Sequence, residues 1–346
     1  MGVFKDKKKW KAQIYVDGKR VASKGGFSGK REAKQWHDAT LGLIRAGKLE
    51  EPRPDIRFDD VLDFFVETHL PTIRKGTADR YNIDIKYRIR PAFSRCRAAE
   101  ISIADIERFR SELCQSLSIK SANNCLALLK GVFAKAEKWG MVKVNPAAGV
   151  ALLKVPRSKY SWWEKEEDVT RFVESIRADK YCLAYRLALD LGMRLGEIIG
   201  LSKKDICLKR CQIHVHRQWL DKERRYGPTK GNSERFIGFP AGGEISQLIE
   251  DGVVRSTHDE ALFVTRTGRR LGARKLAGYY FPLAVERAGV PKIRFHDLRH
   301  TFASWFMIKH DDIWSLKGIL GHVDVQTTQK YAHLSSRHQR VPSFDW

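Results

Sequence analysis

The sequence predicts a multidomain α+β protein: a small β-sheet-plus-helix unit, then an all-α unit, then a mainly α unit with a small β-sheet. Three observations predict it. Residues 10–17 alternate apolar and polar, the period of a half-buried strand. From residue 58 to about 150, apolar residues recur every three or four positions, the spacing of one helix face. After residue 160 that spacing returns, interrupted by two short strand-like runs. Proline-bearing stretches at 50–56 and 147–161 separate the three, setting the expected boundaries at 1–50, 55–150 and 160–346.

In the first unit, Trp10, Ala12, Ile14 and Val16 alternate with Lys11, Gln13, Tyr15 and Asp17. Asp17-Gly18 is a hairpin turn signal, so residues 21–27 return as another strand. Ser28 then caps a helix carrying Ala33, Trp36 and Leu43 on one side and stopped near Gly47. Thirteen lysines and arginines against five acids make these fifty residues strongly basic.

In the second unit, Phe58, Val61, Leu62 and Phe65 form a helical stripe. Ile103, Ile106, Phe109 and Leu113 form another, and Leu126, Leu129, Phe133 and Ala136 a third. Residues 77–90 supply a further helix, with Lys86, Arg88 and Arg90 near its end, and Asn145-Pro146 closes the region. Lys120 and Lys130 read as solvated helix faces. The stretch 147–161, with Lys154, Arg157 and Lys159, reads as an extended basic linker.

In the third unit, residues 168–176, 181–191, 273–288 and 296–308 read as helices, the third broken or kinked at Pro282 and ended by Gly289. Residues 212–218 and 235–239 read as strands, with 227–232 as the turn between them.

The whole chain has 64 lysines and arginines against 41 acids, a formal net charge of +23. Such a charge says nothing about fold but favours a polyanionic partner. Nucleic acid is expected rather than membrane, because no run of about 18 apolar residues exists to span a bilayer. No signal-peptide pattern opens the chain. The six cysteines are dispersed, without the spacing of a metal site or a disulfide framework. A reduced, cytoplasmic protein is expected.

The residues that carry chemistry lie in the third unit. Gly321 stands where one helix should end, and Asp324 is suited to cap a short helix from about Val325. Two helices joined there would bring His322 and Tyr331, nine residues apart, to one site. His296 and Arg299 share a helix face at i and i+3. The apolar stripe Leu298, Phe302 and Trp305 lies elsewhere, so the face with Arg299 is expected outside the core. Arg194 sits in the apolar segment Leu191-Gly192-Met193-Arg194-Leu195, where a buried arginine needs anionic partners. It reads either as a pair with Glu197 alone or as a ligand-binding group that Glu197 orients. Two arginines, two histidines and a tyrosine in a strongly basic chain suggest a phosphodiester held for attack by a phenol.

The order Arg194, Lys230, His296-x-x-Arg299, Leu320-Gly321-His322, Tyr331 resembles the tyrosine recombinase family, the phage and genomic-island integrases in particular. The resemblance spans residues 160–334. Leu191 departs from it where the family often has threonine, as does Lys203 near a commonly aromatic position; neither is a matched catalytic position. The resemblance implies a DNA breaking-rejoining fold with arm-binding, core-binding and catalytic domains in chain order.

It also implies roles. Tyr331 is the nucleophile that forms a 3′-phosphotyrosyl link. Arg194 and Arg299 bracket the non-bridging phosphate oxygens, and His322 donates to the same phosphate. His296 is the general acid/base near the nucleophile. Lys230 protonates the departing 5′-hydroxyl, with Lys222 its nearest rival. His300, adjoining Arg299, is expected to support the site residues without doing chemistry, or to be exposed. No cofactor, metal or ATP is implied. The implied partners are double-stranded DNA at core and arm sites, three further copies in a homotetramer on two duplexes, and DNA-bending and directionality proteins. A tail ending in Phe344 and Trp346 would pack in cis or on a neighbouring copy. A type IB topoisomerase-like relaxing enzyme and a non-catalytic DNA-binding regulator are the alternatives.

Overall fold

The computed structural model describes residues 2–6, 9–16, 19–45, 56–156, 160–231, 233–256, 260–265 and 267–335. The Asp17-Gly18 turn, Gly47, most of the 50–56 linker, Arg157, Lys159 and the tail beyond residue 335 lie outside the described residues. The chain divides into two compact units, residues 1–157 and 158–346.

The first unit opens with an antiparallel sheet in the order β1 (Val3–Asp6), β2 (Lys9–Val16) and β3 (Lys19–Phe27). β2 and β3 are the expected strands. β1 is an addition: its Val-Phe-Lys-Asp run shows no alternation that would mark a strand. Helix α1 (Lys30–Arg45) follows, and the Ser28 hydroxyl and backbone N–H both donate to Glu32, at 2.7 and 3.0 Å. Ala12, Phe27 and Ala33 form a small core flanked by Trp10 and Trp36.

A separate core unites α2 (Phe58–His69), α3 (Lys75–Asp84), α4 (Arg90–Phe93), α5 (Ile103–Ser116) and α6 (Ile119–Lys138). Phe58 stacks on Phe133 with ring centroids 4.7 Å apart, and every residue of the three sequence stripes is buried except Ile103, at the first position of α5. Ser102 and Asp105 close a capping box on α5, which fixes where that helix begins. Lys130 corrects the sequence reading. Its ammonium donates to the Val150 carbonyl at 2.8 Å, while Asn123 bonds both the N–H and the carbonyl of Leu153. The start of the 147–161 stretch is thus tied down along α6 instead of running free.

The second unit contains α7 (Glu166–Ser175), α8 (Cys182–Leu191), α9 (Leu195–Gly200), α10 (Glu244–Arg255), α11 (Ala273–Lys275), α12 (Phe281–Ala288), α13 (Phe295–His310), α14 (Ile313–Leu320) and α15 (Gln326–Gln329). Its strands are β4 (Ile206–Cys207), β5 (Gln212–Val215), β6 (Arg217–Leu220), β7 (Arg225–Pro228) and β8 (Arg235–Gly238). α8 is the central helix. Nine of its ten residues are buried, as expected of a helix enclosed on all sides, and α13 packs along it.

Residues 212–218 are two strands, not one: β5 pairs with β4 and β8, whereas β6 pairs with β7 in a separate hairpin. Gly227 and Pro228, read as turn, belong to β7. Pro228 is tolerated because a two-stranded ribbon leaves one side of each strand unpaired. The turn into β8 begins at Thr229, whose hydroxyl donates to the Ser233 carbonyl at 2.8 Å and accepts from its N–H at 3.0 Å.

Pro282 does not break its helix. α11 and α12 are joined by a widened π-turn, Leu276–Tyr280, ending two residues before the proline. α3 and α4 are joined the same way by Ile85–Ile89, two residues before Pro91. A proline ring clashes with the carbonyl four residues earlier, here Gly278 and Tyr87. Each is the middle residue of its π-turn, so the widening absorbs the clash.

Candidate active site

Gly192 ends α8 at φ 63°, and a Cβ there would lie 2.5 Å from the Phe302 ring. The reversal permitted by that glycine lets Arg194 begin α9. The backbone N–H and Nη1 of Arg194 donate to the Glu197 carboxylate at 2.9 and 2.8 Å, so Glu197 orients the arginine as expected. Nη2 donates to the Gly321 carbonyl at 3.2 Å. Burial alone would raise the Glu197 pKa, but bonds from Arg235 and Arg194 hold it down to about 2.

Arg299 lies on α13 and is 2% exposed, which overturns the expectation that its face lies outside the core. α8 and α14 close over it. Nη1 donates to the Gly192 carbonyl at 2.5 Å, and Nη2 to the Leu320 carbonyl at 2.7 Å. These carbonyls stand at the C-terminal ends of α8 and α14, where helix dipoles concentrate negative charge. Two helix ends therefore solvate this guanidinium, the part expected of a carboxylate. Burial and then the Arg194 charge push its pKa down to about 9, so it stays cationic at neutral pH and would gain from an added anion.

Gly321 closes α14 at φ 61°, as the sequence predicts, and turns the chain so that His322 meets Arg299. Nη2 of Arg299 and Nε2 of His322 are 3.0 Å apart, and His322 Nδ1 is 2.8 Å from the Thr328 hydroxyl. Arginine can only donate, so Nε2 is the acceptor and Nδ1 carries the proton. Burial, Arg299 and Arg194 push the His322 pKa down to about 3, consistent with a neutral ring.

Asp324 accepts from the Gln326 N–H at 2.9 Å and starts a helix of only four residues, α15. Tyr331 follows, 1% exposed, in a cluster with Ala303, Met307, Leu316 and Leu320. Its hydroxyl lies 2.5 Å from Nδ1 of His300, and the Tyr160 ring meets its ring edge-on at 5.2 Å. Burial raises its pKa well above the usual phenol value. His300 is therefore not exposed: it is buried and bonds the Tyr331 hydroxyl directly.

His296, one turn earlier on α13, keeps much of its ring in solvent. Partial burial and the charges of Arg299 and Lys330 lower its pKa to about 4. Lys230 is exposed in the turn between β7 and β8 and bonds none of the described residues. That turn borders the site, because a Cβ on Gly231 would lie 2.6 Å from a methyl of Val323, next to His322. Lys222 stands in the β6–β7 turn, at the opposite end of the hairpin.

Sequence reasoning missed Arg235, and it named His300 without its bond to Tyr331. His300 follows Arg299 directly, and its contact depends on where Tyr331 returns. Arg235, read only as a strand residue, is one of many cations in its region.

The second unit thus gathers two guanidiniums held on helix-end carbonyls, a neutral histidine against one of them, and a buried tyrosine. The model of the phage integrase family matches residues 165–338, and the chain belongs to that family of tyrosine recombinases, enzymes that break and rejoin DNA. The ICEBs1 integrase of Bacillus subtilis is 28% identical over 346 residues, covering 94% of this chain and 92% of that one. The tyrosine recombinase XerC of Lactobacillus leichmannii is 26% identical over 250 residues, covering 69% and 80%. Among solved structures, the Tn1549 transposon integrase in complex with a circular intermediate DNA aligns with a TM-score of 0.68 at 20% identity, over 80% of this chain and 94% of the other. The lambda integrase dimer bound to a core site aligns with a TM-score of 0.62 at 17% identity, over 99% and 97%.

Proposed function

We propose that this protein is the integrase of a mobile element or prophage, cutting and rejoining duplex DNA at specific sites through a 3′-phosphotyrosyl link to Tyr331. The observation that carries this reading is the convergence of Arg194 and Arg299, from α9 and α13, on adjacent carbonyls of the Leu320-Gly321 turn, beside His322.

In this reading the guanidiniums take the non-bridging oxygens, since their forks match phosphate geometry and remain charged. The Tyr331 oxygen attacks phosphorus and the bond to the 5′-oxygen breaks. The phenolic proton passes to neutral His296, and Lys230 gives a proton to the leaving 5′-oxygen. His322 adds a hydrogen bond to the developing charge once its proton moves to Nε2. Tyr331 has first to leave His300, which requires residues 326–334 to shift. Rejoining reverses these steps, and the bond energy kept in the phosphotyrosine makes ATP unnecessary.

The integrases of similar structure are bound to DNA, and lambda integrase forms a tetramer on a Holliday junction. We carry both features to this chain: duplex DNA is its partner, and four copies act on two duplexes. Residues 1–50 would bind arm sites, 55–150 core sites, and 160–346 would hold the chemistry.

Covalent trapping tests the reading. Nicked duplexes carrying the DNA that flanks the protein's own gene are mixed with the unaltered chain and with Tyr331→Phe, in EDTA and without ATP. A protein–DNA adduct on denaturing gels from the unaltered chain alone is the expected result. Tight, specific binding without any adduct would instead make the protein a DNA-binding regulator.

A further inference from the structure

Arg235 opens β8, opposite Val215 of β5, and its side chain is 8% exposed. Every donor nitrogen of its guanidinium is used. Nη1 and Nη2 donate to the two oxygens of Glu197 at 3.1 and 2.7 Å, and Nε donates to the Ile319 carbonyl at 2.7 Å. The plane also lies against Gly321, where a Cβ would come within 2.9 Å of Nη1 and 3.1 Å of Cζ. A single side chain thus spans both halves of the phosphate site: the start of α9, which carries Arg194, and the end of α14, which leads into His322.

The charge arrangement gives this contact a consequence beyond packing. Each oxygen of Glu197 accepts one bond from Arg194 and one from Arg235, and the carboxylate is 1% exposed. With Arg194 alone, a buried Glu197 would cancel the charge of the arginine it orients. With Arg235 on its other edge, Arg194, Arg235 and Glu197 together keep one positive charge, and Arg299, held by the Gly192 and Leu320 carbonyls, adds a second in the same buried region. A phosphodiester carries one negative charge, and attack by an oxygen nucleophile takes its pentacoordinate transition state towards two. The excess therefore matches the transition state better than the ground state, the condition for catalysis by electrostatics.

We propose that Arg235 is a positioning residue of the cleavage reaction: it offsets the charge of Glu197 so that Arg194 meets the phosphate as a full cation, and it braces the Leu320-Gly321-His322 turn. This rests on the reading of the site as a phosphodiester-cleaving centre.

The test compares adduct formation rates on the same nicked duplexes, together with duplex affinity and thermal unfolding, for four variants. Arg235→Gln should slow cleavage about 100-fold, with affinity within about threefold of the unaltered chain. Arg235→Lys keeps the charge and loses the fork, and should slow it about tenfold. The decisive variant is the double one, Glu197→Gln with Arg235→Gln. Removing the carboxylate as well restores the balance, so it should cleave faster than Arg235→Gln alone. A packing role predicts the opposite order, since two bonded groups are then lost instead of one.

A double variant slower than Arg235→Gln, or an Arg235→Gln chain cleaving at the unaltered rate, overturns the proposal. If Arg235→Gln does not fold, Arg235→Lys is compared with Glu197→Gln/Arg235→Lys: loss of the carboxylate should then gain nothing, and a gain would overturn the charge argument. Absence of an adduct from the unaltered chain would instead overturn the parent reading, and the role of Arg235 with it.

Discussion

The Tyr331 hydroxyl lies 2.5 Å from Nδ1 of His300, and both side chains are buried. The Lys330 ammonium stands 3.5 Å from the same nitrogen, and burial with that charge pushes the His300 pKa down to about 3. A ring held neutral, with only donors at Nδ1, accepts there, so the phenol donates and keeps its proton. His300→Phe strands a buried hydroxyl and should cost about 1–3 kcal/mol. His300→Asn, whose carbonyl oxygen falls near the Nδ1 position, should cost less. Urea unfolding of His300→Phe, Tyr331→Phe and the pair checks this: their losses should fall short of additivity by about 1 kcal/mol. Strict additivity would mean the two groups do not bond.

The same histidine makes stability depend on pH. Unfolded, its ring protonates near the ordinary value of 6.5; folded, only near 3. Between those values the unfolded chain holds more protons, so stability rises with pH. The contribution is fully present above about 6.5 and is lost as pH falls towards 3. At pH 5 the loss is about 2 kcal/mol for His300 alone. His322, whose pKa is also lowered to about 3, acts in the same direction. Urea midpoints measured from pH 7.5 to 5 should fall, and the fall should be shallower in His300→Phe. Parallel curves for the two chains would exclude the buried ring as the cause.

How much of this was legible in the sequence depended on whether the signal was local. Gly321 ending a helix, Asp324 opening the next and Glu197 holding Arg194 are all settled within four residues, and each was readable. The burial of Arg299 was not: its partners are the carbonyls of Gly192 and Leu320, and backbone oxygens leave no trace in residue type. Arg235 escaped for a related reason, since its fork reaches a carboxylate 38 residues away. The division of residues 212–218 into two strands was hidden because β5 and β6 differ only in which partner each pairs with. Chemistry was legible where spacing carried it, and illegible where long-range closure did.

Three glycines with nearly equal φ separate backbone strain from crowding. Gly192, Gly289 and Gly321 all cap helices at φ 61–63°. A Cβ on Gly289 meets nothing within 4 Å, so Gly289→Ala should cost only the conformational penalty, about 1 kcal/mol. Gly321→Ala would also press on the Arg235 guanidinium at 2.9 Å, and Gly192→Ala on the Phe302 ring at 2.5 Å and Leu320 at 2.9 Å. Losses measured by denaturant unfolding should rise in the order Gly289, Gly321, Gly192. Only the latter two should slow adduct formation, because they border Arg194 and His322. Equal losses at all three positions would show that the neighbours yield freely.

Lys230 is exposed and bonds none of the described residues, so its removal should leave the fold intact. A general acid acts only on the leaving group, and that gives it a signature of its own. Lys230→Ala should unfold within about a degree of the unaltered chain, as expected for a surface change. It should form adduct roughly 100- to 10,000-fold more slowly on ordinary nicked duplexes. Replacing the bridging 5′-oxygen at the cleaved bond with sulphur yields a thiolate leaving group that needs no proton. On that substrate Lys230→Ala should cleave nearly as fast as the unaltered chain, whereas an Arg299→Ala chain, if Arg299 holds the phosphate as proposed, should stay slow on both. Lys222→Ala controls for charge alone: its turn lies at the other end of the β6–β7 hairpin, so sulphur should make no difference to its relative rate. If sulphur rescues Lys222→Ala and not Lys230→Ala, the proton donor has been assigned to the wrong turn.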